Sequence, residues 1–394
     1  MTTNDSGLTS LRHAWPCVVA WAIAAVFLCG LAVTCGLVWT TGSDCDLQER
    51  YWEYSWFRQG TYPNATIERE QGPWPSLYTV YLPYAFPMFA ALFEPGGLAQ
   101  GRIVVQSLSL AAIVIMGRYG YRTLLPAGKA VAFTGYVLAI AISGNLAAIK
   151  SGQLSVICMG LVFLQLMFLE ANRPISAVAC WSLAMVKPQI ALPFAALFIL
   201  TRNLVSLAAG CVLLVLLSGF ACWWTGVDPG TLLHNWTMGK RFHFINDGFV
   251  FGPGSLARFM GIPNGVAMVL IAAVAGVITL CLVAALRRCP NPSILALAAV
   301  CSVLGMFTCY HRHYDNVMLL PAGLLAVSTA VETRRKPDII AAIMFAATLA
   351  MPLPMRLLNA VPMVQFAVAG IWLIGGLRPV AYAVRQAGRR TDIA

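Results

Sequence analysis

The chain has 394 residues, of which 59% are hydrophobic and only 10% are charged, and its formal net charge is +11. A soluble globular protein carries about 25% charged residues, so this composition excludes a soluble fold and indicates an integral membrane protein. The positive charge is spread over many short segments and forms no basic stripe, so we expect no nucleic-acid partner.

Apolar runs of membrane-spanning length begin near the N-terminus. The run 15–39 follows Arg12 and lacks a small-residue cleavage site, which predicts a retained transmembrane helix rather than a signal peptide. The later runs predict an all-α polytopic protein, a single domain over 1–394 with about twelve membrane helices. The predicted spans are 15–39, 103–117, 128–143, 153–169, 175–186, 189–201, 204–224, 265–286, 293–309, 317–331, 339–355 and 360–383.

The segments between these spans differ in charge. With the N-terminus inside, the inner segments hold 15 Lys and Arg against five acids, a net +10, whereas the outer segments hold 11 cations and 10 acids. This positive-inside asymmetry predicts a plasma-membrane protein with both termini in the cytoplasm. The outer side carries long loops at 40–102 and 225–264 and short turns at 148–153 and 309–316. Because functional residues commonly lie on loops held by a rigid scaffold, we expect a site facing the periplasm or exterior.

Two acids follow the first apolar run, in GSDCDLQERYWEYSWFRQGTYP (42–63). Asp44 and Asp46 either solvate the end of the first helix or have a functional role, and the six aromatics beside them are expected to lie at the membrane interface. The next stretch, WPSLYTVYLPYAFPMFAALF (74–93), is apolar but interrupted by prolines. It predicts a short amphipathic helix or re-entrant segment at the level of the lipid headgroups.

A second irregularity is Lys187-Pro188, inside SLAMVKPQIALPFAALFIL (182–200). Proline breaks a helix and a charge is costly in the bilayer, so the sequence predicts two short helices meeting at a break that lines a polar cavity. The alternative is one kinked helix whose Lys187 extends toward the interface.

Several of these segments together resemble one family. GNLAAIKSGQLSVICMGLVFLQLMFLEANRPISAVACWSLAMVKPQIALPFAALFIL (144–200) resembles the polyprenyl-phosphate-sugar-dependent transferases of glycosyltransferase family 87, with a Gly-Gln pair opening a membrane helix, an Arg-containing turn and a Lys-Pro break. DLQERY (46–51), GTYP (60–63), Tyr81-Leu82-Pro83 and HRHYDNVMLLP (311–321) agree with the family pattern and follow in the right order.

The resemblance implies a GT-C type bundle of membrane helices with an essential acid in the first outer loop. It also implies a polyprenyl-phosphate sugar donor, mainly of mannose, and transfer to a hydroxyl of a glycan or glycolipid acceptor. The general base would be Asp46 or Asp44, and we prefer Asp46. The six aromatics beside these acids would stack on the sugar.

The remaining candidates are cations and amides that would hold the donor. For the phosphate we predict His313 and Arg312, and behind them the further cations His311, Lys187, Lys150, Lys240 and Arg241. Gln153 and Gln189 would hydrogen-bond sugar hydroxyls, and Tyr81 belongs to the family pattern. The run HRHYD is otherwise a solvated turn, or a place where Asp315 orients a histidine. The cysteines show no CxxC pair or Cys/His ligand spacing, so we predict neither a metal site nor a cofactor.

Two other functions compete with this prediction. A flippase for lipid-linked sugars, or another transporter, also has many spans and an interior cation, but it is expected to show repeated halves with paired breaks. The sequence has one clear break and no repeat. A GT-C enzyme that transfers glucose or arabinose has the same general features, and the sequence alone does not separate the sugars.

Overall fold

A computed structural model of the chain describes residues 45–63, 81–228, 230–232, 293–308, 311, 313–350 and 362–391, with scattered positions within 18–29 and at 273 and 277. This described part is helical and contains no strand, as the composition predicts. The helices are α1 Cys45–Arg58, α2 Ala85–Phe93, α3 Gly97–Leu124, α4 Lys129–Ala141, α5 Ser143–Ser151, α6 Ser155–Glu170, α7 Pro174–Ala184, α8 Pro188–Ala191, α9 Ala196–Leu200, α10 Leu204–Thr225, α11 Ile294–Thr308, α12 Leu320–Thr333, α13 Lys336–Ala350 and α14 Pro362–Thr391, with 3-10 turns at Leu125–Ala127, Leu192–Ala195 and His313–Leu319.

Within the described residues, few single helices have the length of a full membrane span. Three helical segments are long and apolar enough to cross a bilayer alone, and α4 with α5 passes as a fourth, bent by 42°. Those three are Gly97–Ala127, Leu204–Thr225 and Tyr314–Thr333. Other apolar helices have 10–17 residues, and about 20 are needed to span the hydrocarbon core. Twelve spans are therefore not confirmed in the described part, and the predicted spans 15–39 and 265–286 lie largely outside it.

Exposure separates the lipid-facing helices from the core. On α10, Val205, Val215 and Trp223 are 86%, 68% and 75% exposed, although all three are apolar. In α11, by contrast, most side chains are buried, on all faces of the helix. A helix that is apolar and exposed belongs against lipid, whereas one buried all round forms the centre of the bundle.

The aromatic residues of the first loop pack inside the protein. Helix α2 buries Phe86, Phe89 and Phe93 against α1 and its C-terminal turn, with Phe86 stacked on Phe57 at a ring distance of 5.6 Å. Tyr54, Phe57 and Tyr62 are at most 5% exposed. Burial of these three side chains contradicts the expectation that they stack on sugar, while Trp52 remains 43% exposed.

The predicted break at Lys187-Pro188 is confirmed. Helix α7 ends at Ala184, Lys187 has an extended ψ of 81°, and α8 begins at Pro188. Lys187 is only 2% exposed, so the alternative in which it reaches the interface is wrong. Its ammonium lies inside the protein, where it donates hydrogen bonds to polar side chains.

Candidate functional site

A tight turn between α5 and α6 forms one side of the candidate site. Gly152 ends α5 in the left-handed conformation, with φ of +72°, which glycine adopts without strain. A Cβ on Gly152 would lie 2.5 Å from the Cβ of Leu47, so α1 also approaches too closely for a larger residue. Gly152 of the Gly-Gln pair therefore allows α1, which carries Asp46, to pack on the C-terminal end of α5.

The Lys187 ammonium lies in a buried polar cluster, which we define as Gln153, Ser155, Lys187, His311 and Asp315. Nζ donates to Ser155 Oγ at 2.5 Å, to Asp315 Oδ1 at 2.7 Å and to Gln153 Oε1 at 3.2 Å. It also lies 4.4 Å from the centre of the Tyr314 ring. Three acceptors thus match the three N–H bonds of the ammonium.

Asp315 and His311 complete the buried polar cluster from the segment that follows α11. Asp315 Oδ1 also accepts a hydrogen bond from Ser155 Oγ at 2.7 Å. His311 Nε2 donates to the Gly305 carbonyl oxygen at 2.9 Å, and its Nδ1 lies 3.8 Å from Asp315 Oδ2. Both side chains are essentially excluded from solvent, at 0% and 1% exposure. The cluster therefore contains an ion pair with hydrogen-bonded partners, which a buried charge requires.

A second charged group lies on α1. Arg50 is buried and forms ion pairs with Glu49 at 2.7 Å and Glu53 at 2.8 Å. Burial alone would lower the pKa of the Arg50 guanidinium, but the two carboxylates outweigh burial and raise that pKa above its usual value. The guanidinium also stacks on the Tyr81 ring at 4.6 Å. Arg50 is therefore a permanent cation that joins α1 to Tyr81.

Asp46, in the first turn of α1, is half-buried. Burial raises the pKa of the Tyr81 phenol, the Arg50 cation opposes this, and the acids Glu53 and Asp46 add to the upward shift. Tyr81 therefore stays neutral at physiological pH and keeps its O–H. The spacing from Asp46 to Arg50 and Glu53, four and then three residues, places these side chains on one helix face.

Of the other predicted site residues, three are described by the structure and four are not. Lys150 is half-buried in the last turn of α5, Gln189 is half-buried in α8, and His313 begins the 3-10 turn before α12. Asp44, Arg312, Lys240 and Arg241 lie outside the described residues. Among the residues that are described, no group of three His, Cys, Asp or Glu side chains is placed to hold a metal ion.

Sequence reasoning missed four members of these groups. The sequence patterns indicate Asp315 only as a partner of a histidine, and they do not indicate Ser155, Arg50 or Glu53. The i, i+3 and i+4 spacing of charges on α1 was an available signal for the last two. Ser155 carried no signal, because its partner Asp315 lies 160 residues away in the chain.

Comparison with known proteins identifies the family. The family model for glycosyltransferase family 87 matches residues 80–310, which is more than half of the chain. The chain belongs to glycosyltransferase family 87. A search of curated proteins and a search of solved structures each found no match.

Membership of glycosyltransferase family 87 makes the protein a membrane-embedded glycosyltransferase, and it favours the transferase over the transporter. The matched range includes Tyr81, Gln153 and Lys187. It begins after Asp46 and ends just before His311, so those parts of the site are connected to the matched range by the contacts described above.

Proposed function

We propose that this family 87 member transfers a hexose, mannose, from a polyprenyl-phosphate donor to a hydroxyl of a glycan or glycolipid acceptor. The transfer takes place at the outer face of the plasma membrane. The observation that carries the proposal is the placement of Asp46, a half-buried carboxylate in the first turn of a helix that packs against the turn at Gly152.

The proposed reaction forms one glycosidic bond and breaks one bond to phosphate. Asp46 accepts the proton of the acceptor hydroxyl as its oxygen attacks the anomeric carbon. The bond from that carbon to the phosphate oxygen breaks, and the polyprenyl phosphate leaves with the electron pair. Preorganised cations stabilise the charge on the leaving phosphate. We assign this role to Arg312 and His313, with Lys150, Lys240 and Arg241 as further cations.

The sugar would be held by amide side chains. Gln153 accepts a hydrogen bond from Lys187 through Oε1, so its amide nitrogen is the end that would donate to a sugar hydroxyl. Gln189 lies two residues beyond Lys187, at the start of α8. The apolar exposed faces of the helices would bind the polyprenyl chain within the bilayer.

A donor-selectivity assay tests this function. The purified protein in detergent is incubated with a mixed lipid extract and one radiolabelled donor at a time, and labelled products are identified. The donors are GDP-mannose and the polyprenyl phosphates of mannose, glucose and arabinose. We expect transfer from polyprenyl-phosphate mannose only, because a site at the outer face is reached by a donor anchored in the bilayer. Efficient use of GDP-mannose would overturn the assigned donor. Transfer only from polyprenyl-phosphate glucose or arabinose would overturn the assigned sugar.

A further inference from the structure

The Lys187 ammonium has all three N–H bonds engaged by protein acceptors. Ser155, Asp315 and Gln153 accept at 2.5, 2.7 and 3.2 Å, and Lys187 is 2% exposed. A donor phosphate would have to displace one of these acceptors to bind the ammonium directly. The geometry therefore argues against Lys187 as a phosphate ligand and in favour of a role within the protein.

The same contacts join three segments that are distant in the sequence. Gln153 and Ser155 stand at the start of α6, Lys187 stands at the break before α8, and Asp315 stands in the 3-10 turn before α12. Lys187 and Asp315 are 128 residues apart in the chain. Since the ion pair and its hydrogen bonds lie in the interior, water screens them little and they hold these segments in one arrangement.

The residues proposed to bind the phosphate lie, in the sequence, between two buried members of the cluster. His311 is held by the Gly305 carbonyl, and Asp315 is held by Lys187 and Ser155. Arg312 and His313 are the first two of the three residues between them in the sequence. The cluster therefore fixes the residues on either side of the two proposed phosphate ligands.

We propose that Lys187, Asp315 and Ser155 are positioning residues for donor binding, because they fix the chain next to the proposed phosphate ligands Arg312 and His313. The proposal rests on the proposed function, because it assigns a role to the same site. It changes the role of Lys187 from substrate ligand to positioning residue and adds two residues that the family pattern in the sequence did not indicate.

Kinetics of four variants test the proposal, with polyprenyl-phosphate mannose as the donor and KM and kcat measured separately. The variants are Ser155→Ala, Lys187→Met, the double variant Lys187→Met with Asp315→Asn, and Ser109→Ala as control. Ser109 is a buried serine whose hydroxyl donates to the Val105 carbonyl of its own helix and to no other residue that the structure describes. Thermal unfolding in the same detergent identifies the variants that are folded.

Removing Lys187 alone leaves the Asp315 carboxylate buried without its cation, so we expect the donor KM to rise by about 10- to 100-fold through displacement of the chain next to the proposed phosphate ligands. Neutralising both partners removes the unpaired charge, and the double variant should recover at least about 3-fold of that loss. Ser155→Ala should raise the donor KM, and Ser109→Ala should leave it unchanged.

The opposite results identify a direct phosphate ligand. If Lys187 binds the phosphate, the double variant is as impaired as Lys187→Met, and Ser155→Ala leaves the donor KM unchanged or lowers it by freeing one N–H bond. Either result overturns the proposal. If the variants at Lys187 and Asp315 do not fold, the donor KM of Ser155→Ala is sufficient to test it. The wild-type protein is measured first, since a failure of wild type to use the donor would overturn the proposed function instead.

Discussion

At the scale of single residues, Arg50 and Lys187 show how this membrane protein accommodates charge in its interior. They are 6% and 2% exposed, and each has a carboxylate within 2.8 Å. An isolated buried charge costs far more free energy than a paired one. The pairing explains why these cations can lie inside an apolar bundle.

Asp46→Asn is expected to lower the turnover of sugar transfer by at least about 100-fold, because the amide has nearly the same shape but cannot accept the hydroxyl proton. Expression, thermal stability and donor binding should change little, since Asp46 makes no ion pair with any residue that the structure describes. Turnover in detergent is the measurement. Asp44→Asn is the matched control on the same segment.

Retained turnover in Asp46→Asn together with its loss in Asp44→Asn would move the base to Asp44. Retained turnover in both variants would contradict a base in the first loop.

At the scale of helices, the bundle depends on close backbone approach at small residues. Helices α3 and α4 cross where Gly120 meets Gly135, and a Cβ on Gly135 would lie 2.4 Å from the backbone carbon of Gly120. Small residues at such crossings let membrane helices pack by van der Waals contact and not by exclusion of water. This crossing fixes α4, and with it α5 and the Gly152 turn that contacts α1.

Gly135→Ala is expected to destabilise the protein by about 1–3 kcal/mol, because the new methyl group meets backbone atoms that have no rotamer to change. The control is Gly219→Ala on α10, where an added Cβ has no heavy atom within 4 Å. That substitution should be neutral or stabilise by up to about 1 kcal/mol through helix propensity. Thermal unfolding in one detergent compares the two variants, and equal stability of both would contradict the proposed crossing.

At the scale of the whole molecule, long-range contacts assemble the candidate site from most of the chain. The Trp224 indole, near the end of α10, donates to the Phe57 carbonyl at 2.7 Å and so connects α10 to α1. The buried polar cluster connects α6, the Lys187 break and the segment before α12. All of these connections lie on the side that the charge distribution assigns to the exterior.

Single cysteines test that sidedness in a background without exposed thiols. A cysteine replacing Gln59, which is exposed just after α1, should react with an impermeant maleimide added to intact spheroplasts. A cysteine replacing Lys336, exposed at the start of α13, should react only after lysis, because it belongs to the positively charged inner side. The reverse labelling pattern would invert the topology and place the candidate site in the cytoplasm.

Much of the local structure follows from the sequence. Composition determined the membrane class, and the apolar runs agree with most described helices, such as the run 204–224 with α10 at Leu204–Thr225. The Lys187-Pro188 break was predictable because proline and a buried charge act locally. The Gly-Gln pair and the Lys-Pro break also indicated the family before any contact was known.

The tertiary structure decided which polar side chains meet. Lys187 was predictable as an interior cation, but its pairing with Ser155 and Asp315 depends on packing between segments 32 and 128 residues away. The burial of Tyr54, Phe57 and Tyr62 likewise depends on α2, whose phenylalanines cover them. Hydrophobic periodicity reports which face of a helix is apolar, but it contains no information about which other helix will cover that face.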